Sequence, residues 1–549
     1  MTYDTPNTMR MSFLERCIAL VAPARANYLV QQRAAWSHIN ENMRAMFGLA
    51  ESNRQNANWN ATYTDINYGL ATELTTMRNR SRWLVRRNPY AASAQNTLVN
   101  YVVGTGFELQ MTVARRVRKD GAIVVEELDE HNDTVEDVFR DWAEDVTITS
   151  TEASPECFAE AQRLLMRLLF TDGEAFIHLV TDTRHPVVPL RLNFIEPEAL
   201  DTFRTSGTDG NPVLNGIEVN RRTWQPLAYW IKSMDAASSG YIYDNDSVRV
   251  PAKDMIHVFD RVYPRQMRGI PWLGAVGEKL FQTEEYAYAH LIRGKIAALF
   301  AVLFKNGGVP GGMMSTSSDT ENGGSKGFPK DADGNPIRNL APGMMGNLGR
   351  DVEPFVINPT APEREYLDFL RSNLGAIGAG VAYGMSYVGL TRDTSQTTFA
   401  SGTAARQMDA QGYRPIQRLV AAQGLSSICR AWMDRAVLSE AIVAPGYHRD
   451  PRFWQRHTWL PCGWSIGINP LQEVTAARDS MEAGMTTLAD ECGALGRDWR
   501  AQVRMKAKIE RYAKSQGTTV GSARDPDATA LIAAGDAEAA AEVSAANKE

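Results

Sequence analysis

The amino-acid sequence predicts an α+β protein, with a β-rich region between two helical regions. Short alternating runs such as GEAFIHLV and PLRLNFIEP fill residues 107–262, and Gly, Pro, Asn and Asp separate them. This pattern is typical of antiparallel strands with short connections. On both sides of this region, apolar residues recur at helical spacing. With 44% apolar and 22% charged residues, the 549-residue chain has the composition of a globular protein with more than one core.

Helices are expected in the first 103 residues, which are rich in Arg and Asn. One helix carries a cluster of arginines around Trp83, namely Arg80, Arg82, Arg86 and Arg87. A solvated helix face explains this cluster, and a phosphate-binding surface is the alternative. Another helix, SPECFAEAQRLLMRLLF, is expected within the β-rich region, because Ser154, Pro155 and Glu156 form an N-terminal signal.

A tightly turned elbow, RVYPRQMRGIPWLG, follows the β-rich region at residues 261–274. Apolar residues then repeat at helical spacing from Leu273 to about Phe300. Residues 305–350 contain so much Gly, Ser and Asp that we expect a mobile projection. A second helix is expected from Pro362 to Val381, and its glycines make it thin enough for close packing.

The C-terminal part of the chain is predicted to be mainly helical. Polar residues 387–401, YVGLTRDTSQTTFAS, precede a long helix from Gly402 to Leu438, with any kink at Pro415. Residues 470–516 have a helical pattern again. The tail, residues 517–549, is Ala-rich and acidic, so we expect it to be disordered or loosely helical.

Composition and motif content disfavour several classes of function. The five cysteines are scattered and form no C-x-x-C pair, which indicates a reducing compartment without a zinc site or disulfide framework. A net charge of −6 lacks the basic excess of proteins that bind nucleic acid tightly. The longest apolar run, residues 297–304, is far shorter than the ~20 residues that span a bilayer. No phosphate-loop or H-E-x-x-H pattern occurs, so we expect neither a cofactor nor a metal.

The sequence contains no convincing catalytic site. His257 and Asp260 could form an acid–base pair, but a structural histidine is the simpler interpretation on an alternating strand. If the β-rich region were the scaffold of a hydrolase or transferase, His178 would join them as a candidate catalytic residue. Light scattering can test the enzyme interpretation, because an enzyme of this kind should have a mass near that of one chain. A much larger mass would favour an assembly of many copies.

The order of the motifs resembles a known family. NRSRWLVRRNPYAASAQNTLVNYVVGTGFELQ contains, in order, an arginine pair, Arg-Asn, an alanine helix and a Val-Val-Gly-x-Gly turn. VPAKDMIHVFDRVYPRQMRGIPWL is more specific, because Gln266, Arg268, Gly269 and Pro271 match a Gln-x-Arg-Gly-x-Pro pattern. Over residues 10–515 the sequence resembles the lambda-type portal protein family of tailed bacteriophages. WSIGINPLQEV departs from the family's Asp-Pro-x-Lys-Glu pattern, which puts any charge pairing there in doubt.

The resemblance implies a subunit with a mixed α/β wing, a two-helix stem, a clip projection, a loop that faces the channel, a long wing helix and a helical crown. On this sequence the parts are residues 1–268 for the N-terminal helices and wing, 269–300 for the first stem helix, 301–361 for the clip, 362–386 for the second stem helix, 387–401 for the tunnel loop, 402–469 for the long wing helix and connection, 470–516 for the crown and 517–549 for the tail.

Three groups of site residues follow from the same resemblance. The wing-to-stem elbow comprises Gln266, Arg268, Gly269 and Pro271. The DNA-channel loop comprises Tyr387, Thr391, Arg392, Asp393 and Thr394, in which Arg392 would contact phosphates unless it pairs with Asp393. Stem packing would involve Leu291, Ile296, Leu370 and Leu374.

The resemblance also implies an assembly and its partners. We expect a homododecameric ring at one capsid vertex, which serves as the conduit for DNA packaging and ejection. The expected partners are other copies of the chain, double-stranded DNA in transit without sequence specificity, the terminase large subunit, major capsid or scaffold proteins and a head–tail adaptor, with no membrane. The expected location is the virion, after assembly in the host cytoplasm. Another structural virion protein is the alternative, and end views in the electron microscope would distinguish it by the lack of a central hole.

Overall fold

Long helices and antiparallel sheets alternate along the chain. The computed structural model describes residues 65–119, 122–146, 156–182, 187–234, 243–299, 303–306, 352–355, 363–381, 383–395, 397–463 and 470–516. Most of the expected clip, the expected tail and the cap residues Ser154 and Pro155 lie outside these residues.

The described helices, in chain order, are α1 Ile66–Arg87, α2 Pro89–Leu98, α3 Asp129–Glu144, α4 Phe158–Asp172, α5 Gly277–Leu299, α6 Glu363–Gly380, α7 Tyr387–Thr391, α8 Phe399–Leu419, α9 Ser426–Leu438, α10 Pro451–Trp454, α11 Pro470–Glu482, α12 Leu488–Ala494 and α13 Trp499–Ser515. None of them is both long and apolar enough for a membrane crossing.

The described strands are β1 Glu108–Met111, β2 Ala114–Lys119, β3 Ala122–Glu127, β4 Glu174–Val180, β5 Arg191–Ile195, β6 Val213–Leu214, β7 Ile217–Val219, β8 Pro226–Met234, β9 Tyr243–Pro251, β10 Met255–Phe259, β11 Leu303–Asn306, β12 Val352–Phe355 and β13 His457–Leu460. They form sheets in the orders β10-β4-β5 and β6-β7-β8-β9 and the pairs β1-β13, β2-β3 and β11-β12. The pairings between these strands are antiparallel, as the alternating runs predict.

Aromatic side chains from distant parts of the sequence form the centre of the main core. Phe139 of α3 lies 5.0 Å, centroid to centroid, from Trp432 of α9 and 5.6 Å from Phe158 of α4. Trp459 of β13 lies 5.9 Å from the same phenylalanine. A second core, which includes Phe176, lies beside the β6-β7-β8-β9 sheet. These elements are therefore held together by contacts between residues far apart in sequence.

The structure corrects the sequence prediction within the β-rich region. Helix α3 was not predicted there, although Val135, Phe139 and Trp142 are buried at helical spacing. Helix α4 begins at Phe158, later than the predicted signal at Ser154, because the N–H of Cys157 binds the Glu160 carboxylate at 3.3 Å and starts the first turn.

The long helix predicted from Gly402 to Leu438 is not continuous. Helix α8 begins at Phe399, slightly before the predicted Gly402, and contains Pro415 without ending there. A π-helical turn, Val420–Leu425, separates it from α9. The kink that was expected at Pro415 is therefore replaced by a π-helical turn that begins five residues later.

Aromatic rings line the contact between α5 and α6. Tyr286 lies 5.0 Å from Phe369, and His290 stacks on Tyr366 at 4.3 Å. Farther along α6, a Cβ atom at Gly380 would lie 2.6 Å from Val276 Cγ1. Close packing at the later part of α6 is therefore real, as its glycine content predicted.

Candidate functional site

The elbow is built around one fully buried carboxylate, Glu174, at the start of β4. Arg268 donates from Nε to the two carboxylate oxygens at 2.9 and 3.1 Å. The backbone N–H of Gly269 donates to Oε2 at 2.8 Å, and Arg78 of α1 pairs with Oε1. A buried carboxylate that accepts this many hydrogen bonds holds α1, β4 and the elbow in fixed positions.

A second ion pair extends this cluster toward the surface. Arg82 donates to Asp172 at 2.7 and 2.9 Å and to Glu198 at 2.8 Å. Arg78, Arg82 and Arg268 thus face Asp172, Glu174 and Glu198, so the formal charges of these six residues balance. Arg82 is 27% exposed and points into this cluster. The interpretation of the α1 arginines as one solvated face or phosphate-binding surface is wrong for Arg82.

Gln266 holds the turn itself. Its Oε1 accepts from the N–H groups of Val262 and Tyr263, both at 3.0 Å. Its Nε2 donates to the Arg268 carbonyl at 2.8 Å. Gln266 and Arg268 are both 0% exposed. An amide that bonds three backbone groups of one turn fixes the direction in which the chain leaves the sheet.

Charge interactions keep Glu174 ionised. Burial opposes ionisation, but the positive charges of Arg268 and Arg78 outweigh it and hold the pKa of Glu174 far below its usual range. Burial also lowers the pKa of His257, whose Nε2 lies 3.0 Å from Glu174. A carboxylate only accepts hydrogen bonds, so the imidazole donates through Nε2–H.

Two glycines allow the backbone to close the elbow. Gly173 has φ of 83°, and a Cβ atom there would lie 2.1 Å from the Ile270 carbonyl carbon. A Cβ atom on Gly269 would lie 2.1 Å from the Gly173 oxygen. The adjacent Pro271 is buried, and Trp272 N–H donates to the Phe170 carbonyl at 3.2 Å. The end of α4 and the elbow therefore pack backbone against backbone.

The candidate catalytic residues do not form a site. His257 binds Glu174 and stacks between Phe176 at 4.2 Å and Phe259 at 4.5 Å. Asp260 instead accepts from the Tyr383 hydroxyl at 3.0 Å. The suggested His257–Asp260 acid–base pair is therefore wrong, because each residue has a different partner. No cluster of three or more metal-binding side chains occurs in the part of the chain that the structure describes.

The segment that the resemblance assigns to the DNA-channel loop begins with a short helix. Its first residues form the short helix α7, which Ser386 caps by accepting from Gly389 N–H at 3.0 Å. Asp409 of α8 in turn accepts from the Ser386 N–H at 2.7 Å and its hydroxyl at 2.6 Å. The Thr391 hydroxyl donates to the Tyr387 carbonyl at 2.8 Å. The Asp409 carboxylate thus fixes the position of the first residues of this loop.

Arg392 lies where α7 ends, in the left-handed conformation with φ of 59°. Its side chain is exposed and makes no ion pair with any residue that the structure describes. The alternative partner Asp393 instead accepts from Ser395 N–H at 2.9 Å and the Tyr387 hydroxyl at 3.3 Å. Arg392, Arg406 and Thr394 line one cavity of about 470 Å³.

The four stem residues have different surroundings in the single chain. Leu374 is 1% exposed and Leu370 is half-buried, whereas Leu291 is 54% exposed. Ile296 belongs to α5, but its side chain lies outside the described residues. Sequence reasoning grouped these positions by helical spacing, which does not distinguish a contact within one chain from a contact between chains.

Sequence reasoning missed the acidic half of the elbow. Glu174 is an isolated carboxylate in the apolar run GEAFIHLV, and Arg78 lies one helical turn before Arg82. A single acid within an otherwise buried strand was the available signal, since such a group requires a buried partner.

The fold and these contacts define an α+β protein in which buried charges fix the path of the chain. The sequence matches the family described as "Phage portal protein, lambda family" over residues 52–417. The chain therefore belongs to the lambda family of phage portal proteins, which are structural components of the bacteriophage virion.

The chain is also similar to individual known proteins. The chain is 24% identical to the "Probable portal protein" of Halomonas phage phiHAP-1, over 82% of this chain and 83% of that protein. It is 22% identical to "Portal protein B" of Escherichia phage lambda, over 80% of this chain and 84% of that protein. A solved chain from "Neck of native GTA particle computed with C12 symmetry" is 12% identical, with a TM-score of 0.42, over 78% of this chain and 94% of that chain.

Proposed function

We propose that this protein assembles into a homododecameric ring at one capsid vertex and forms the conduit for DNA during packaging and ejection. Membership of the portal family supports this function. In the proposed ring, the elbow is the joint between wing and stem, α5 and α6 form the stem, and α11 to α13 belong to the crown.

One observation carries the assembly step. Large apolar side chains stay exposed on the two proposed stem helices, with Tyr288 at 62%, Leu291 at 54%, Leu367 at 49% and Phe369 at 47%. Tyr288 and Leu291 also line a groove of about 920 Å³. An exposed apolar face of this kind is typical of a protein–protein contact. Burial of this face between neighbouring copies would stabilise a ring.

Leu291→Asp tests this proposal. Because Leu291 is 54% exposed in the single chain, the substitution should change the free energy of unfolding of the chain by only about 0.5 kcal/mol. In a packed seam between copies, the unpaired carboxylate would cost several kcal/mol. We therefore expect a folded chain that fails to assemble, measured by circular dichroism together with multi-angle light scattering.

Gln282→Asp is the matched control. Gln282 lies on α5, is exposed and does not line the groove, so the same acidic side chain there should leave assembly intact. Rings of Leu291→Asp that match those of the control in mass and number would contradict the proposed seam. Electron-microscope end views of the wild-type protein should show a central hole wide enough for duplex DNA.

The tunnel loop, residues 387–401, is proposed to face the bore. Arg392 is exposed and has no carboxylate partner among the described residues, so its guanidinium can contact a phosphate. One such contact per subunit would be weak and easily broken as DNA advances. A net charge of −6 fits a channel that does not hold the duplex tightly.

The remaining partners follow from the same proposal. The clip, residues 301–361, would dock the terminase large subunit and the head–tail adaptor, and the wing would contact major capsid or scaffold proteins. Such a protein would assemble in the host cytoplasm and remain in the virion. Co-sedimentation of purified rings with the terminase large subunit tests the first contact, and a clip deletion that leaves it unchanged would contradict the docking role.

A further inference from the structure

A polar cavity of about 610 Å³ lies beside α9, and none of its lining residues belongs to the elbow or the tunnel loop. Helix α9 contributes Ser426 and Arg430 to its lining. The segment that runs from α10 into β13 contributes Arg452, Gln455, Arg456 and His457. Three of the six lining residues are arginines, and none is acidic. The cavity is therefore strongly electropositive.

The three arginines have no anionic partner in the described part of the chain. Arg430, Arg452 and Arg456 are exposed, and none makes an ion pair with a described residue. Asp434, on the same helix, is already occupied: it accepts from the Tyr447 hydroxyl at 2.5 Å and from Gln455 at 3.1 Å. Like charges in one concavity repel each other, so an anion bound there would relieve the repulsion.

The polar framework behind the arginines is fixed. His457 Nδ1 lies 2.7 Å from the Gln455 carbonyl, and its Nε2 lies 3.1 Å from the Ser426 hydroxyl. A carbonyl only accepts, so Nδ1 carries the proton and the Ser426 hydroxyl donates to Nε2. The Gln455 side chain in turn donates to Tyr447 at 2.7 Å. These bonds hold the floor of the cavity independently of any ligand.

Local backbone geometry also singles out this position. The π-helical turn Val420–Leu425 ends directly before Ser426. Such turns cost stability and occur frequently at functional sites. The irregular turn sets the position at which α9 restarts, and hence the places of Ser426 and Arg430 in the cavity wall.

The chemistry of the cavity favours phosphate over carboxylate. A guanidinium fork binds either anion, but a carboxylate has only two oxygens in one plane. The arginines come from separate elements, α9 and the α10–β13 segment, so they can contact different oxygens of a tetrahedral phosphate group. The cavity also has room for more than one such anion, so the phosphate can belong to a larger molecule.

We propose that the cavity formed by Ser426, Arg430, Arg452, Arg456 and His457 is a binding site for a phosphate group. The phosphate comes either from the backbone of DNA or from a free phosphate compound. This site is separate from the proposed channel contact at Arg392, and all its lining residues belong to one chain.

Binding of two probes to the full-length protein tests the site. The first probe is a short fluorescent DNA duplex, followed by anisotropy over a series of salt concentrations, and the second is inorganic pyrophosphate, followed by calorimetry. Arg430→Gln and Arg456→Gln should each weaken binding about tenfold, because each removes a charge-assisted fork. For a DNA site, each substitution should also lower the slope of log binding constant against log salt concentration by about one, which corresponds to the loss of one phosphate contact.

Arg449→Gln is the matched control, since Arg449 is exposed near the cavity but does not line it. All three variants should keep the wild-type unfolding midpoint. Weakened binding of both probes supports a DNA-backbone site, and weakened binding of pyrophosphate alone supports a site for free phosphate compounds. Equal binding by the cavity variants and the control would overturn the proposal, as would cavity-dependent binding of polyglutamate without binding of either phosphate probe.

Discussion

Replacement of Arg268 by methionine tests whether the buried ionic cluster holds the elbow. Methionine keeps much of the side-chain length but removes the charge and every N–H donor. The Asn215 carbonyl, now 2.6 Å from Arg268, and the Pro197 carbonyl, now 3.2 Å away, would lose this donor. Glu174 would keep Arg78. Loss of one partner of a buried ion pair costs about 3–5 kcal/mol, against a total stability of about 5–15 kcal/mol.

Urea unfolding followed by tryptophan fluorescence measures this cost. Arg449→Met makes the same chemical change at an exposed position and should cost at most about 0.5 kcal/mol. Glu174→Gln should be at least as damaging as Arg268→Met, because it leaves two buried guanidinium groups without their anion. The double variant Glu174→Gln with Arg268→Met should cost less than the sum of the two single changes. Additive costs, or a cost for Arg268→Met no larger than that of Arg449→Met, would refute the reasoning.

The same cluster predicts a pH dependence. The folded-state pKa of Glu174 lies below its unfolded value of about 4.3, so the stabilisation is present above that pH and is lost as pH falls through the folded value. Removal of the Arg268 charge raises the folded-state pKa. Acid destabilisation of Arg268→Met should therefore begin at a higher pH than in the wild-type protein.

Two further predictions concern other parts of the chain. Burial raises the pKa of Glu136 to about 7, so stability should fall as pH rises from about 4.3 to about 7. Glu136→Gln, which keeps an acceptor for the Met111 N–H, should remove that fall; an unchanged pH profile in urea titrations would contradict this. Arg392→Ala should preserve rings and early packaging but reduce retention of DNA late in filling, measured as packaged genome length. Normal retention would show that the loop acts by shape alone.

The sequence predicted periodic features of the fold well. Alternating runs located β4, β5, β8 and β10, and helical spacing located α5, α6 and the α8–α9 region. Helix α3 was missed because its apolar positions lie between strand-like segments, and the turn chemistry around them dominated the prediction. Helix α7 was missed because the short sequence YVGLT depends for its helical form on the Ser386 cap, which Asp409 holds from another helix.

The elbow illustrates the limit of local sequence patterns. Its glycines and proline indicated a joint, and Gln266 and Arg268 were identified as part of it. Their burial could not be predicted, because the partners of Arg268 are contributed by Glu174, Asn215 and Pro197, all distant in sequence. The charge balance of the cluster depends on long-range packing, which periodicity does not encode.

The strand pair β11–β12 has a consequence for how this protein family can vary. Because Asn306 pairs opposite Val352, this ladder brings together two residues that are far apart in the sequence. The entropy of closing a loop grows slowly with its length, by about 0.6 kcal/mol for each doubling. Insertions or deletions between these two residues should therefore change the free energy of folding of α5 and α6 only slightly. We therefore expect that a change in the number of residues between Asn306 and Val352 leaves the rest of the subunit unchanged.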